Sequence, residues 1–213
     1  MIPTPDLSHL TSQDYDKIYE PAEDTFLLLD ALEHDEIWLQ STKPRICLEI
    51  GSGSGCVTTL LAKIIGYSNA IYFTTDINPY ACNATRQTAL QNQVHTVESV
   101  RTSLISSLLP RLSQKVDVLC FNPPYAVTTP DEVGSFGIEA AWAGGIDGRQ
   151  VIDEFLPYVK DLLSPQGVFY LLLISDNRPK EVVQIMHEYG LQAEIMMERH
   201  AGREKQYILK IRR

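Results

Sequence analysis

One run of residues, Glu49-Ile50-Gly51-Ser52-Gly53-Ser54-Gly55, constrains this chain more than any other, because it joins a strand-like segment directly to a helix-like one. Arg45 to Ile50 reads as a first strand, and Gly55 to Ile65 follows at once with a helical pattern. The glycines let the backbone turn sharply and leave it bare for a ligand to lie against. The spacing departs from G-x-G-x-x-G, since the third glycine comes one residue early. No Lys-Ser/Thr follows, so a phosphate-binding P-loop is excluded. Taken alone, such a stretch also suits a plain Gly/Ser connector.

The flanking segments alternate in the same way. Asp24 to about Glu36 reads as a helix, Ile71 to Thr75 as a second strand, and Pro79 to Gln91 as a helix with proline suited to its first turn. Val94 to Ser99 reads as a short strand, and Val116 to Phe121 as an apolar one broken only by Asp117. Arg149 to Leu163 reads as a helix, Val168 to Ile174 as a buried strand, and Pro179 to Tyr189 as a helix ended by Gly190. Gln192–Glu198 and Gln206–Ile211 close the chain as a hairpin. Residues 126–147 are Gly-rich and follow neither pattern. Alternation of this kind predicts an α/β fold, a mostly parallel sheet with helices on both faces. With 213 residues and no internal repeat or linker, the expected organisation is one domain, 1–213, with a short N-terminal extension.

Composition narrows the class. Hydrophobic residues make up 44%, enough for a sizeable core, yet the longest apolar run, Val168–Ile174, is only strand-sized. A membrane span would need roughly 18 consecutive apolar residues. No basic residue precedes an apolar stretch near Met1, so no secretory signal is expected. Cys47, Cys56, Cys82 and Cys120 are scattered without a C-x-x-C pair, which argues against a metal site and against a disulfide framework. A reducing compartment, cytoplasmic or also nuclear, is the simple reading. The net charge of −9 and the dispersed Lys and Arg argue against direct nucleic-acid binding.

Two further features give the glycine run a ligand. The second strand leads into Asp76, placed to accept hydrogen bonds from ribose hydroxyls; a helix N-cap is the bland alternative. Glu49 adds negative charge beside the glycines, which suits a sulfonium cation and opposes a pyrophosphate. S-adenosylmethionine therefore fits better than a dinucleotide. The strand Val116–Phe121 then runs straight into Asn122-Pro123-Pro124-Tyr125, at the sheet edge where open α/β folds bind ligands. A plain turn would also use Asn-Pro and Pro-Pro.

The chemistry of methyl transfer to a planar NH2 nitrogen explains those four residues. Such a nitrogen is a poor nucleophile because its lone pair is delocalised. The Asn122 side-chain oxygen and the Pro123 carbonyl can each accept one N–H, and proline holds that backbone still. Pro124 and Tyr125 add a surface on which a flat group packs. The methylated nitrogen is strongly acidic, so positioning and fixed dipoles carry the reaction without a dedicated base.

Together these residues resemble the HemK-type glutamine methyltransferases, most closely their short eukaryotic and archaeal branch. The resemblance rests on Tyr19-Glu20-Pro21-Ala22-Glu23-Asp24-Thr25, on Glu49 to Gly55, on Asn122 to Tyr125, and on Gly137-Ile138-Glu139-Ala140-Ala141-Trp142-Ala143-Gly144-Gly145. It implies a class I methyltransferase with seven strands in the order 3-2-1-4-5-7-6. It implies as substrate the glutamine of the Gly-Gly-Gln loop of a class I translation termination factor, and as partner a small zinc-binding activator protein in a heterodimer. Carried over position by position, Thr25, Glu49, Gly51, Asp76, Leu104 and Asn122 would contact cofactor or substrate, and Gly53 of the glycine run is a further cofactor-binding candidate. The family usually has Asp where this chain has Ser103, so any adenine contact there lacks a charge. Residues 126–147 are expected to form a substrate lid carrying Trp142, and the strand 94–99 to be the open edge where the activator docks. Two other readings stay open on sequence: an adenine-amino or protein-lysine methyltransferase, and a non-catalytic partner retaining the fold.

Overall fold

In the computed structural model, which describes residues 2–134 and 138–213, seven strands form one sheet ordered β3-β2-β1-β4-β5-β7-β6. They are β1 Ile46–Ile50, β2 Ile71–Asp76, β3 Val97–Arg101, β4 Val116–Phe121, β5 Leu163–Ile174, β6 Gln192–Ala201 and β7 Glu204–Arg212. From β3 to β5 every pairing is parallel, whereas β7 runs antiparallel between β5 and β6. The central strands read as continuous apolar runs because both faces are covered. Val118 and Cys120 enter one core layer with the helices Glu23–His34 and Cys56–Ile65. Leu119 and Phe121 enter the other with Phe155, Val182 and Met186. Asp117 survives in β4 as a tie: its carboxylate accepts from Arg45 N, Ile46 N and Ser164 Oγ.

Several element boundaries differ from the sequence reading, four of them for a reason visible in the packing. The first helix stops at His34, and a second helix, Glu36–Thr42, follows across Asp35. Asp35 is drawn there by Tyr170, whose hydroxyl donates to Oδ2 at 2.6 Å, and by an ion pair with Lys210. The segment expected as one helix over 149–163 breaks at Pro157 into Gln150–Phe155, a tighter turn Leu156–Tyr158 and Val159–Leu162. Strand β5 starts early, at Leu163, because Leu163 pairs with Val116 across a register shift. Finally, β3 begins at Val97 rather than Val94. Val94 is a core residue, 1% exposed, whose N–H bonds back to Ala89 O at 2.8 Å.

The N-terminal extension packs against the helix Pro79–Gln91. Leu10 and Ile18 bury themselves on Ala81 and Ala84, and Asp6 and Asn92 exchange two hydrogen bonds of 2.8 Å. This strap carries Ile18 and Tyr19 to the C-terminal edge of β1, β2 and β4. The chain reverses its direction of travel across the sheet between β1 and β4, the switch point at which such folds bind ligands.

Candidate active site

A pocket opens at that switch point, and the glycine turn forms its floor. Gly55 has φ +79° and begins the helix Cys56–Ile65; a Cβ there would lie 2.7 Å from Thr85 Cα, so only glycine fits. Above Gly53, by contrast, a Cβ would meet nothing within 4 Å, leaving bare backbone facing open space. Thr25, Glu49, Gly51, Gly53, Asp76, Ser103, Leu104, Asn122 and Pro124 all line this pocket. The described residues lining it include Glu49, Asp76 and Glu154 but no Lys, Arg or His. Such a field opposes a pyrophosphate and suits a cation. The donor set therefore fits S-adenosylmethionine, with its sulfonium and ammonium charges.

Glu49 is 4% exposed, and Thr58 donates to its Oε2 through both N–H, at 3.0 Å, and hydroxyl. Burial pushes its carboxyl up to about 8, against the opposing pull of the Thr58 hydrogen bonds. Asp76 is not the helix cap. That role belongs to Asn78, whose Oδ1 accepts from Tyr80 N at 2.9 Å ahead of Pro79. The Asp76 oxygens instead accept one backbone N–H each, from Gly53 at 3.0 Å and Asn78 at 2.9 Å. Asp76 also lines the pocket, so its remaining acceptor capacity is available to a polar ligand there. Burial raises this carboxyl above its ordinary range. Asp76→Ala is expected to weaken S-adenosylmethionine at least tenfold, since charge-assisted hydrogen bonds contribute about 1.5–3 kcal/mol each. Calorimetric titration checks this, and an unchanged Kd would place the ribose elsewhere.

The acceptor end centres on Asn122. Its Nδ2 donates to Asp24 Oδ2 at 2.9 Å, and its Oδ1 is buried without a hydrogen-bond partner. Tyr125 also donates to Asp24 Oδ2, at 3.2 Å, and Tyr19 to Oδ1 at 3.0 Å. Burial and the neighbouring Asp24 raise both phenols above their ordinary range. Asp24 is 2% exposed. Sequence reasoning named it only as part of a motif block. Its place between Tyr19 and Thr25, each assignable from the block, was the available signal. Pro123 is buried, and neither it nor Tyr125 is among the pocket-lining residues.

Residues 126–147 are the segment expected to form a substrate lid carrying Trp142. Residues 135–137, including Gly137 of the fourth motif block, lie outside the described residues. Around them the segment is partly built into the fold. Ala126 bridges Ala143, and Val133, Gly134, Ala140, Ala141 and Ala143 line the pocket itself. A Cβ on Gly144 would lie 2.7 Å from Pro124 O, and one on Gly148 would lie 1.9 Å from Tyr125 O. These glycines let the returning chain press directly on the motif. Asn177, fully buried, clamps the contact by donating to Tyr125 O, Asp147 O and Gly148 O. Trp142 is 39% exposed and is not among the pocket-lining residues; its carbonyl accepts from Ala126 N at 2.9 Å and its N–H donates to Glu139 O at 3.1 Å.

Comparison with known proteins agrees with this geometry. Residues 23–141 match the family model described as the methyltransferase small domain. The chain is 54% identical to human methyltransferase HEMK2, over 97% of this chain and 95% of that one. It is 39% identical to the eRF1 methyltransferase catalytic subunit mtq2 of Schizosaccharomyces pombe, over 100% and 96%. Among solved structures it resembles the Mtq2 chain of the E. cuniculi Mtq2-Trm112 complex, which methylates the eRF1 translation termination factor. The TM-score there is 0.70 and the identity 33%, covering 92% of this chain and 98% of that one. A glycine turn lined by acids, a motif asparagine with a free buried oxygen, and kinship along nearly the whole length lead to one assignment: this chain belongs to the methyltransferase small domain family, as a HemK-type glutamine methyltransferase.

Proposed function

We propose that this protein methylates the side-chain amide nitrogen of the glutamine in the Gly-Gly-Gln loop of a class I translation termination factor. The observation that carries this is the Asn122 Oδ1, buried beside the pocket and without a partner. A buried acceptor left unpaired is costly, so its partner is supplied by a ligand. Bound S-adenosylmethionine supplies an electrophilic methyl group. Everything else falls to the chain. Asn122 Oδ1 accepts one amide N–H and holds the nitrogen in place. The Pro123 carbonyl is suited to the second, on a backbone that proline keeps rigid. Hydrogen bonds to both N–H groups draw electron density toward nitrogen without removing a proton first. Incubation of a recombinant termination factor with this protein, its activator and labelled cofactor, followed by mass spectrometry, tests the assignment. A methyl group on any residue other than that glutamine, or none, would refute it.

The same reading includes a partner. The edge strand β3 has one side unpaired, and it carries no Lys or Pro of the kind that usually protects an edge. Exposed Leu90 lies beside it, along a groove with Arg86, Val97 and Glu98. A small zinc-binding activator adding its own strand there would satisfy those backbone groups. Tyr72 N donates to Thr96 O at 3.1 Å, so in the parallel ladder the Val97 N–H points away from β2. Val97→Pro should therefore leave the sheet intact and remove one outward donor. The expected result is loss of co-elution with the activator in size exclusion, with the thermal midpoint of the isolated chain little changed. Co-elution equal to wild type would move the interface off β3.

A further inference from the structure

The Asn122 side chain is nearly symmetric in shape but not in polarity, so a half-turn exchanges its acceptor for its donors. Which face meets the substrate is a chemical choice that the surroundings must make. They make it through one residue. Asp24 accepts from Thr25 N at 2.6 Å and Tyr19 Oη at 3.0 Å on Oδ1, and from Tyr125 Oη at 3.2 Å on Oδ2. Asn122 Nδ2 completes the set on Oδ2 at 2.9 Å. Turned over, Asn122 would set oxygen against oxygen at that distance, with no water to relieve it, because Asp24 is 2% exposed. The turned amide would also present its own NH2 to an incoming NH2, donor against donor.

We propose that Asp24 is the positioning residue that locks the Asn122 carboxamide with Oδ1 toward the acceptor nitrogen, and so determines that the site takes a planar NH2 group. This rests on the reading of Asn122 as the acceptor for the substrate amide. Asp24 is itself outside the pocket lining and acts through Asn122. The lock also explains a short motif spanning two distant elements: Tyr19 and Asp24 come from the strap and first helix, Asn122 and Tyr125 from the end of β4. Their four side chains form one network centred on Asp24, to which both phenols and the Asn122 amide donate.

The test keeps shape and changes polarity. Asp24→Asn gives position 24 an NH2 of its own, so the Asn122 amide is free to turn. With a glutamine peptide as acceptor, kcat should fall about a hundredfold, while Kd for S-adenosylhomocysteine stays within about threefold. Combining Asp24→Asn with Asn122→Asp exchanges donor and acceptor between the two positions and leaves only acceptors toward the substrate. The double variant should be at least about tenfold faster than Asp24→Asn alone, a rescue that a merely structural role would not produce. A single variant retaining more than a third of wild-type kcat overturns the proposal, and so does a double variant no faster than the single. A second readout needs neither substrate nor variant folding. In 15N-labelled wild-type protein, the Asn122 NH2 should exchange with solvent at least about tenfold more slowly than that of exposed Asn83. Equal rates overturn the lock. If wild-type enzyme methylates no glutamine peptide, the proposed substrate fails, and amide exchange still decides the lock.

Discussion

Asn122→Ala is expected to lower methyl transfer by about two to three orders of magnitude, the loss seen when a preorganised polar contact to a reacting group is deleted. Affinity for S-adenosylhomocysteine should stay within about threefold, or roughly 0.6 kcal/mol. The two outcomes separate because the side-chain oxygen has no partner in the protein and its nitrogen is committed to Asp24. What the substitution removes is a contact to the acceptor, not to the adenosyl group. It also takes one of several donors from a buried carboxylate, yet Tyr19, Tyr125 and Thr25 continue to donate to Asp24. The thermal midpoint should therefore shift by an amount equivalent to about 1 kcal/mol. Methylation assays run beside calorimetry decide the matter. Activity within tenfold of wild type would remove Asn122 from the reaction.

Cofactor affinity is expected to rise steeply with pH between about 6 and 8, by up to about tenfold per unit. The source is Glu49, whose carboxyl burial holds at about 8 in the protein, against an ordinary value of 4.5. Near neutral pH the empty site keeps that group protonated, whereas a sulfonium and an ammonium favour the carboxylate. Binding must then expel a proton. Titrations of S-adenosylmethionine at pH 7 in two buffers of different ionisation heat should give different observed enthalpies. Glu49→Gln should abolish the difference and flatten the pH profile. Buffer-independent heat in the wild-type protein would mean that Glu49 is already ionised. The same group acts on stability, with the sign set by its raised value. Between 4.5 and about 8 the folded state holds a proton that the unfolded chain has released, so the contribution is full below 4.5 and is lost as pH rises through about 8. Saturating cofactor should oppose that loss, which thermal melts at pH 6 and pH 8 would show.

Much of this was legible in the chain. Glycines after an apolar strand, an acid at the end of the next strand, and Asn-Pro-Pro-Tyr after a third are local statements. Each is dictated by backbone freedom, burial on both sheet faces or a fixed proline dihedral within a few neighbouring residues. That is why β4 and the helix Pro79–Gln91 lie where the pattern put them. The departures share the opposite cause. Asp35 ends the first helix because Tyr170, 135 residues later, reaches it. Val94 leaves the edge strand for a core position against Ala89. Glycines 144 and 148 become a brace on the motif only once the chain has returned to it. Above all, Asp24 and Asn122 are 98 residues apart, and nothing in either neighbourhood says which way an amide must face. The sequence by itself determined which groups reach the sheet edge. Only the tertiary structure decided their orientation, because a buried donor must find its acceptor across space, whatever the distance along the chain.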